Sequence, residues 1–107
     1  MTNWTPEDDK LVTLAKGART RVGADAGAAL RDTTGRTYAN AAVNKEFLKL
    51  SAVALTVGQA IASGATGIEA VVVCTETDLA DLDKEIIHSF AGENTPIYRV
   101  NLKGERI

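Results

Sequence analysis

Few residues in this chain can do metal or nucleophile chemistry. The sequence holds one cysteine, Cys74, and one histidine, His88. Zinc sites draw on cysteine, histidine and carboxylates, usually with three or more protein ligands. Four-cysteine and mixed two-cysteine, two-histidine structural sites are therefore impossible within one chain. A catalytic site would need Cys74 and His88 together with a carboxylate. Their spacing argues against that meeting, so no metal and no cofactor is expected. Cys74 ends a β-branched run and reads as a small buried apolar residue; a redox role would need exposure and positive neighbours. His88 reads as a packing or surface residue, with a pH switch as the alternative. Ser51 has no identifiable base and reads as a structural serine bonding back to a carbonyl. Thr75 to Asp81 is acidic and lies where a strand feeds a helix, a usual place for sites in open α/β sheets. It reads as a capping segment, with a weak divalent cation site as the alternative. Lys16, Arg19 and Arg21 read as a solvated cationic face rather than an anion site.

The elements that must position these residues belong to one domain, 1–107. A chain of 107 residues can bury one core and no more. Its 45% apolar and 24% charged residues are ordinary for a soluble globular domain. The formal net charge of -2 gives no basic footprint for nucleic acid and no polybasic patch for a membrane. No apolar run approaches the roughly 20 residues that span a bilayer. The opening Met1 to Asp9 is acidic and lacks the apolar stretch of a signal peptide. With the single cysteine, which fits a reducing compartment, this gives a cytoplasmic location as the expectation.

Thr5, Pro6 and the acidic Glu7, Asp8 and Asp9 predict a helix start. Leu11, Leu14, Ala15 and Ala18 give it one apolar face, and the helix ends at Val22 to Asp25. Ala26 to Arg31, a turn at Asp32 to Gly35, and Arg36 to Asn40 predict a hairpin. The bulk-free Ala26-Gly27-Ala28-Ala29 reads as tight helix-on-sheet packing, or as the floor of a pocket. A second helix is predicted from about Lys45 to Ser63. Phe47, Leu48, Leu50, Val53, Leu55, Val57 and Ile61 make it apolar on nearly every side, as in a buried or interface helix. Gly58 costs that helix roughly 1 kcal/mol, so a close contact is expected there. Ile68 to Thr75 reads as a central strand buried on both faces. A third helix is expected from Thr77 or Asp78, with Leu79, Leu82, Ile86 and Phe90 as its stripe, and Ile97 to Leu102 as the last strand. The pattern gives a mixed sheet with helices on both faces.

Two segments carry a family resemblance. Ala26-Gly27-Ala28-Ala29-Leu30-Arg31-Asp32-Thr33-Thr34-Gly35-Arg36-Thr37-Tyr38 resembles the first hairpin of the small homo-oligomeric cytidine deaminases. Pro96-Ile97-Tyr98-Arg99-Val100-Asn101-Leu102-Lys103-Gly104-Glu105 is similar to their strand and turn P-x-x-x-V-N-L-x-G-E. The element order agrees from roughly Glu7 to Ile107, and the family's C-terminal helix has no counterpart before Ile107. The resemblance implies a three-layer α/β/α fold. It also implies a homo-oligomer, dimer or tetramer, with active sites built across subunits.

In that family, three cysteine or histidine ligands hold a zinc ion that makes hydroxide from water, and a glutamate shuttles protons. Laid on those motifs, Ser51 falls on the first ligand position and Val53 on the glutamate. Ala80 and Asp83 fall on the other two ligands. Val53 and Ala80 can neither bind metal nor carry a proton. The resemblance thus implies no catalytic residue and no metal ligand here. On the sugar-binding side, Asn44 is the one polar match and Ala24 stands near an aromatic position. The expectation is a non-catalytic homologue that binds or scaffolds, with a pyrimidine nucleoside as its candidate ligand. The alternatives are a cytidine deaminase that recruits metal unconventionally, and a partner for another macromolecule.

Overall fold

The computed structural model describes residues 4–107. Met1, Thr2 and Asn3, which open the stretch read above for a leader, lie outside them. Helix α1 spans Pro6–Val22. Thr5 caps it in extended conformation, and the Asp8 carboxylate accepts the Thr5 backbone N–H at 3.0 Å. Gly23 closes it at φ 66°, a left-handed position that glycine adopts without steric penalty. Leu11, Ala15 and Ala18 face the sheet, whereas Leu14, expected beside them, is 38% exposed.

Strands β1 (Gly27–Asp32) and β2 (Thr37–Ala41) form the expected hairpin, each one residue later than the sequence pattern suggests. Two further short strands, β3 (Val43–Lys45) and β4 (Leu48–Leu50), pair only with each other. Helix α2 (Ala52–Ala62), strand β5 (Ile68–Cys74), helix α3 (Asp81–Ala91) and strand β6 (Ile97–Val100) complete the order. The main sheet runs β2-β1-β5-β6, with β1 antiparallel to both neighbours and β5 parallel to β6. After β6, a turn brings Arg106 back to bridge Val100 on the outer edge.

From Ala70 onward the β5 side chains alternate between two cores, and Ile68 precedes a register shift against β1. Ala70, Val72 and Cys74 join Leu11, Ala15, Ala29 and Val100 under α1. Ile68, Val71 and Val73 join Leu30, Val53, Val57 and Ile87 on the side of α2 and α3. Each fully buried valine or leucine contributes about 1.5–3 kcal/mol. The sheet is therefore the middle of three layers, as the sequence pattern implies. Among the described residues, no helix is long and apolar enough to cross a membrane.

Three expectations are corrected. The second helix does not begin at Lys45: residues 45–50 belong to the β3–β4 hairpin, and Ser51 resets the chain at φ -67°, ψ 156°. Leu48-Lys49-Leu50 has the two-residue period of a strand, and a serine before an apolar run is a helix-start signal. The apparent all-round apolar helix was two elements read as one, which leaves Phe47 87% exposed at the hairpin tip. The third helix starts at Asp81 rather than Thr77. Leu79, Ile86 and Phe90 of the expected stripe pack against the core, but Ile87 is the fully buried residue and Leu82 is 66% exposed. Gly58 has no close contact: a Cβ built there meets nothing within 4 Å.

Gly27 is the opposite case. A Cβ there would run into the Ala15 carbonyl oxygen of α1 and stand 3.0 Å from the Arg19 Cβ. The backbone of α1 thus rests directly on β1. Above this contact, Arg31 ties three elements together. Its guanidinium donates to Asp8 at 3.0 Å and to Glu69 at 2.7 Å, and its side chain is 15% exposed. Gly27→Ala should destabilise the fold by about 1–3 kcal/mol, because helix or strand must move. Gly58→Ala should stabilise it by about 0.5–1 kcal/mol through helix propensity alone. Urea unfolding of both variants checks the pair.

Asp32 is buried under the β1–β2 turn. It accepts the Thr34 hydroxyl at 2.7 Å, the Thr34 N–H at 2.9 Å and the Arg36 N–H at 3.0 Å. The Thr34 hydroxyl and then these N–H groups outweigh burial and hold its carboxyl below the ordinary value. A depressed folded pKa adds stability above the ordinary carboxylate pKa of about 3.9, and the gain disappears as pH falls through the folded value. Asp32→Asn should therefore be less stable than the parent at pH 7, with the gap narrowing toward pH 3 in the same urea assay.

Candidate functional site

Helices α2 and α3 begin close together, beside the carboxyl end of β5. Between them lies a cavity of about 150 Å³. Val73 and Thr75 line it from β5 and the residue after it, Ala26 from the start of the hairpin, and Thr77 to Ala80 from the loop before α3. Ser51, Val53 and Asp83 complete the wall. The open character of Ala26 serves this cavity, while Gly27 serves the helix contact. Both readings of the small-residue strand therefore hold, at successive residues.

Ser51 is not a mid-helix serine bonding back to a carbonyl. It is the N-cap of α2: its Oγ accepts the Ala54 N–H at 2.9 Å and donates to Asp83 Oδ1 at 2.7 Å. The residue that bonds back is Thr56, to the Ala52 carbonyl at 2.7 Å. Val53 is 1% exposed and sits in the core shared with Val57 and Ile87. Ala80 is the N-cap of α3 and makes no side-chain bond; its carbonyl accepts the Asp83 N–H at 3.0 Å. The Ser51–Asp83 contact spans 32 residues of sequence, so no local pattern reveals it. The family's motifs, which put both positions on one ion, were the available signal.

Asn44 lies apart from this cavity. It is exposed on β3, opposite Lys49, and lines a second hollow of about 550 Å³ together with Val22 to Asp25. Ala24 therefore shares a hollow with Asn44, and Ala42 lines both hollows. In the 75–81 segment, Asp78 pairs with Arg99 at 2.8 Å and Glu76 accepts the Leu102 N–H at 2.8 Å. The Thr75 and Thr77 hydroxyls stand 3.1 Å apart. The segment is stitched to the last strand and its turn rather than opened toward a cation. Among the described residues, no three histidine, cysteine, aspartate or glutamate side chains gather in a way that could hold a metal ion. Cys74 is fully buried, burial pushes its thiol up, and its Sγ lies 3.3 Å from the Asn101 carbonyl oxygen. His88 is half-buried on α3.

A four-stranded mixed sheet between helix layers, with a cavity where two helices start beside the end of its central strand, defines an open α/β architecture. The chain belongs to the cytidine deaminase-like family, whose model matches residues 4–104. No curated protein matches it by sequence. Among solved structures, it is similar to a cytidine deaminase from Burkholderia pseudomallei, with a TM-score of 0.74 and 21% identity, over 100% of this chain and 91% of the other. A cytidine deaminase from Mycobacterium tuberculosis gives 0.67 at 18% identity, over 94% and 85% of the two chains. One from Mycobacterium leprae gives 0.64 at 20% identity, over 97% and 92%. At these identities the likeness establishes the fold.

The residues present do not fit the zinc ion of that family. The three ligand positions supply a hydroxyl, a methyl and a carboxylate, and the hydroxyl oxygen already accepts a backbone N–H. One hard carboxylate among such neighbours is a poor zinc set. The residue that the motif resemblance sets against the proton carrier, Val53, is part of the core. Val53→Glu should destabilise the chain by about 3–5 kcal/mol in urea unfolding, because it buries a carboxylate without a partner.

Proposed function

We propose that this chain is a non-catalytic relative of the cytidine deaminases, a single cytoplasmic domain that acts as a homo-oligomeric binding or scaffolding protein. The observation that carries the reading is Val53. It packs in the core, and the motif resemblance sets it against the glutamate that carries protons in the deaminases. Hydrolytic deamination also needs an activated water, and ordinary side chains do not bring the pKa of water near neutrality as zinc does. The cavity between α2 and α3 adjoins the larger hollow lined by Asn44, leaving room for a pyrimidine ring and its sugar. Oligomerisation finds support in the family resemblance and in the adjacent apolar pair Phe47 and Leu48 left exposed on the β3–β4 hairpin.

Thermal unfolding of the purified chain with cytidine, uridine and their nucleotides tests the reading. A ligand of the folded state adds about 2.7 kcal/mol at a hundredfold excess over its dissociation constant. The expected result is a rise in melting temperature with at least one pyrimidine while cytidine persists unchanged by absorbance. Conversion of cytidine to uridine, with one equivalent of zinc per chain, would establish the deaminase alternative instead. Sedimentation as a monomer at micromolar concentration would remove the oligomeric part.

A further inference from the structure

Resting on that metal-free reading, we propose that the Ser51–Asp83 hydrogen bond takes over the mechanical work of an ion at the junction of α2 and α3. It clamps the two helix starts and keeps the cavity walls together. An ion bound at this junction would join the two helices through ligands from each. Here two of the three ligand positions reach each other directly, oxygen to oxygen at 2.7 Å. That separation falls within the short range of a hydroxyl donating to a carboxylate. Ser51 Oγ is committed on both sides, accepting from Ala54 N and donating to Asp83, so the link also fixes the first turn of α2. Asp83 is the third residue of α3, where the helix dipole favours a negative group. The third ligand position, Ala80, holds the α3 start through its backbone carbonyl, which takes the N–H groups of Asp83 and Lys84 at 3.0 and 3.2 Å. Below the pair, Val53 closes the wall with its side chain. Of the four positions that the family devotes to chemistry, Ser51 and Asp83 join the two helices, while Ala80 closes the first turn of α3 and Val53 lines the wall.

The test is a double-mutant cycle on the full chain, read by thermal unfolding with and without a chelator. Ser51→Gly keeps a residue suited to a helix cap but removes the hydroxyl, and Asp83→Ala removes the acceptor. Each should lower the melting temperature by about 4–8 °C for every kcal/mol lost, and the double variant should fall little further than the worse single one. Asp83→Asn, which retains an acceptor oxygen, should recover part of the loss. The chelator should shift none of the proteins. As a second arm, the triple variant Ser51→Cys, Ala80→Cys, Asp83→Cys should take up one zinc per chain and melt higher with zinc than without it. Additive losses in the cycle, or a folded triple variant that takes up no zinc, would overturn the clamp while leaving the non-catalytic reading intact. A chelator-induced fall in the unmodified chain would overturn both.

Discussion

β5 is apolar on both faces, and the rest of the molecule is arranged to keep water from each. A strand of seven residues whose side chains alternate between two cores from Ala70 onward needs a cover above and below. Helix α1 supplies one cover, and it comes close enough only because β1 offers Gly27 beneath the Ala15 carbonyl. Helices α2 and α3 supply the other. Placed there by the chain order, both begin near the carboxyl end of β5, and their starts converge on the cavity. The site follows from this layout: α2, laid over β1 and β2, and α3, entered from the end of β5, bring two sets of unpaired N–H groups into one place.

Such a junction must be satisfied somehow, and this chain does it with ordinary side chains. Ser51 caps α2 and reaches Asp83, while α3 closes its first turn on the Ala80 carbonyl. On the opposite face, charge is used in the same spirit. Asp8 both caps α1 and receives Arg31, which also holds Glu69 on β5. A buried carboxylate that lost its guanidinium would be costly, so this linkage fixes how α1 sits on the sheet more than it adds net stability.

The layers were legible in the sequence because β5 is a continuous β-branched run and the α1 start carries its cap, proline and acids together. The hairpin was legible from its turn. Residues 45–50 were not, since Phe47, Leu48 and Leu50 extend the apolar content of α2 without interruption, and composition alone does not separate a ribbon from a helix. The break lies in Ser51, whose capping preference was outweighed in that reading by the apolar run around it. Most of the α3 stripe was legible, since Leu79, Ile86 and Phe90 pack against the core, whereas Leu82 is exposed and Ile87 is buried. At the site, the positions themselves were legible through the family's motifs. The pairing of Ser51 with Asp83 was not, because it depends on two helices meeting in space.

The return of the chain after β6 bears on how this sheet meets other sheets. Arg106 bridges Val100, and the Ile107 N–H bonds to the Arg99 carbonyl at 3.1 Å, so the β6 margin is partly occupied by the chain's own backbone. An intruding strand must first peel that segment away. Among the described residues, no strand covers the opposite margin, β2, although Gln59 of α2 meets Asn40 at 2.7 Å. Unpaired margins are where sheets recruit one another into aggregates. The chain's own return thus guards the β6 margin against edge-to-edge growth.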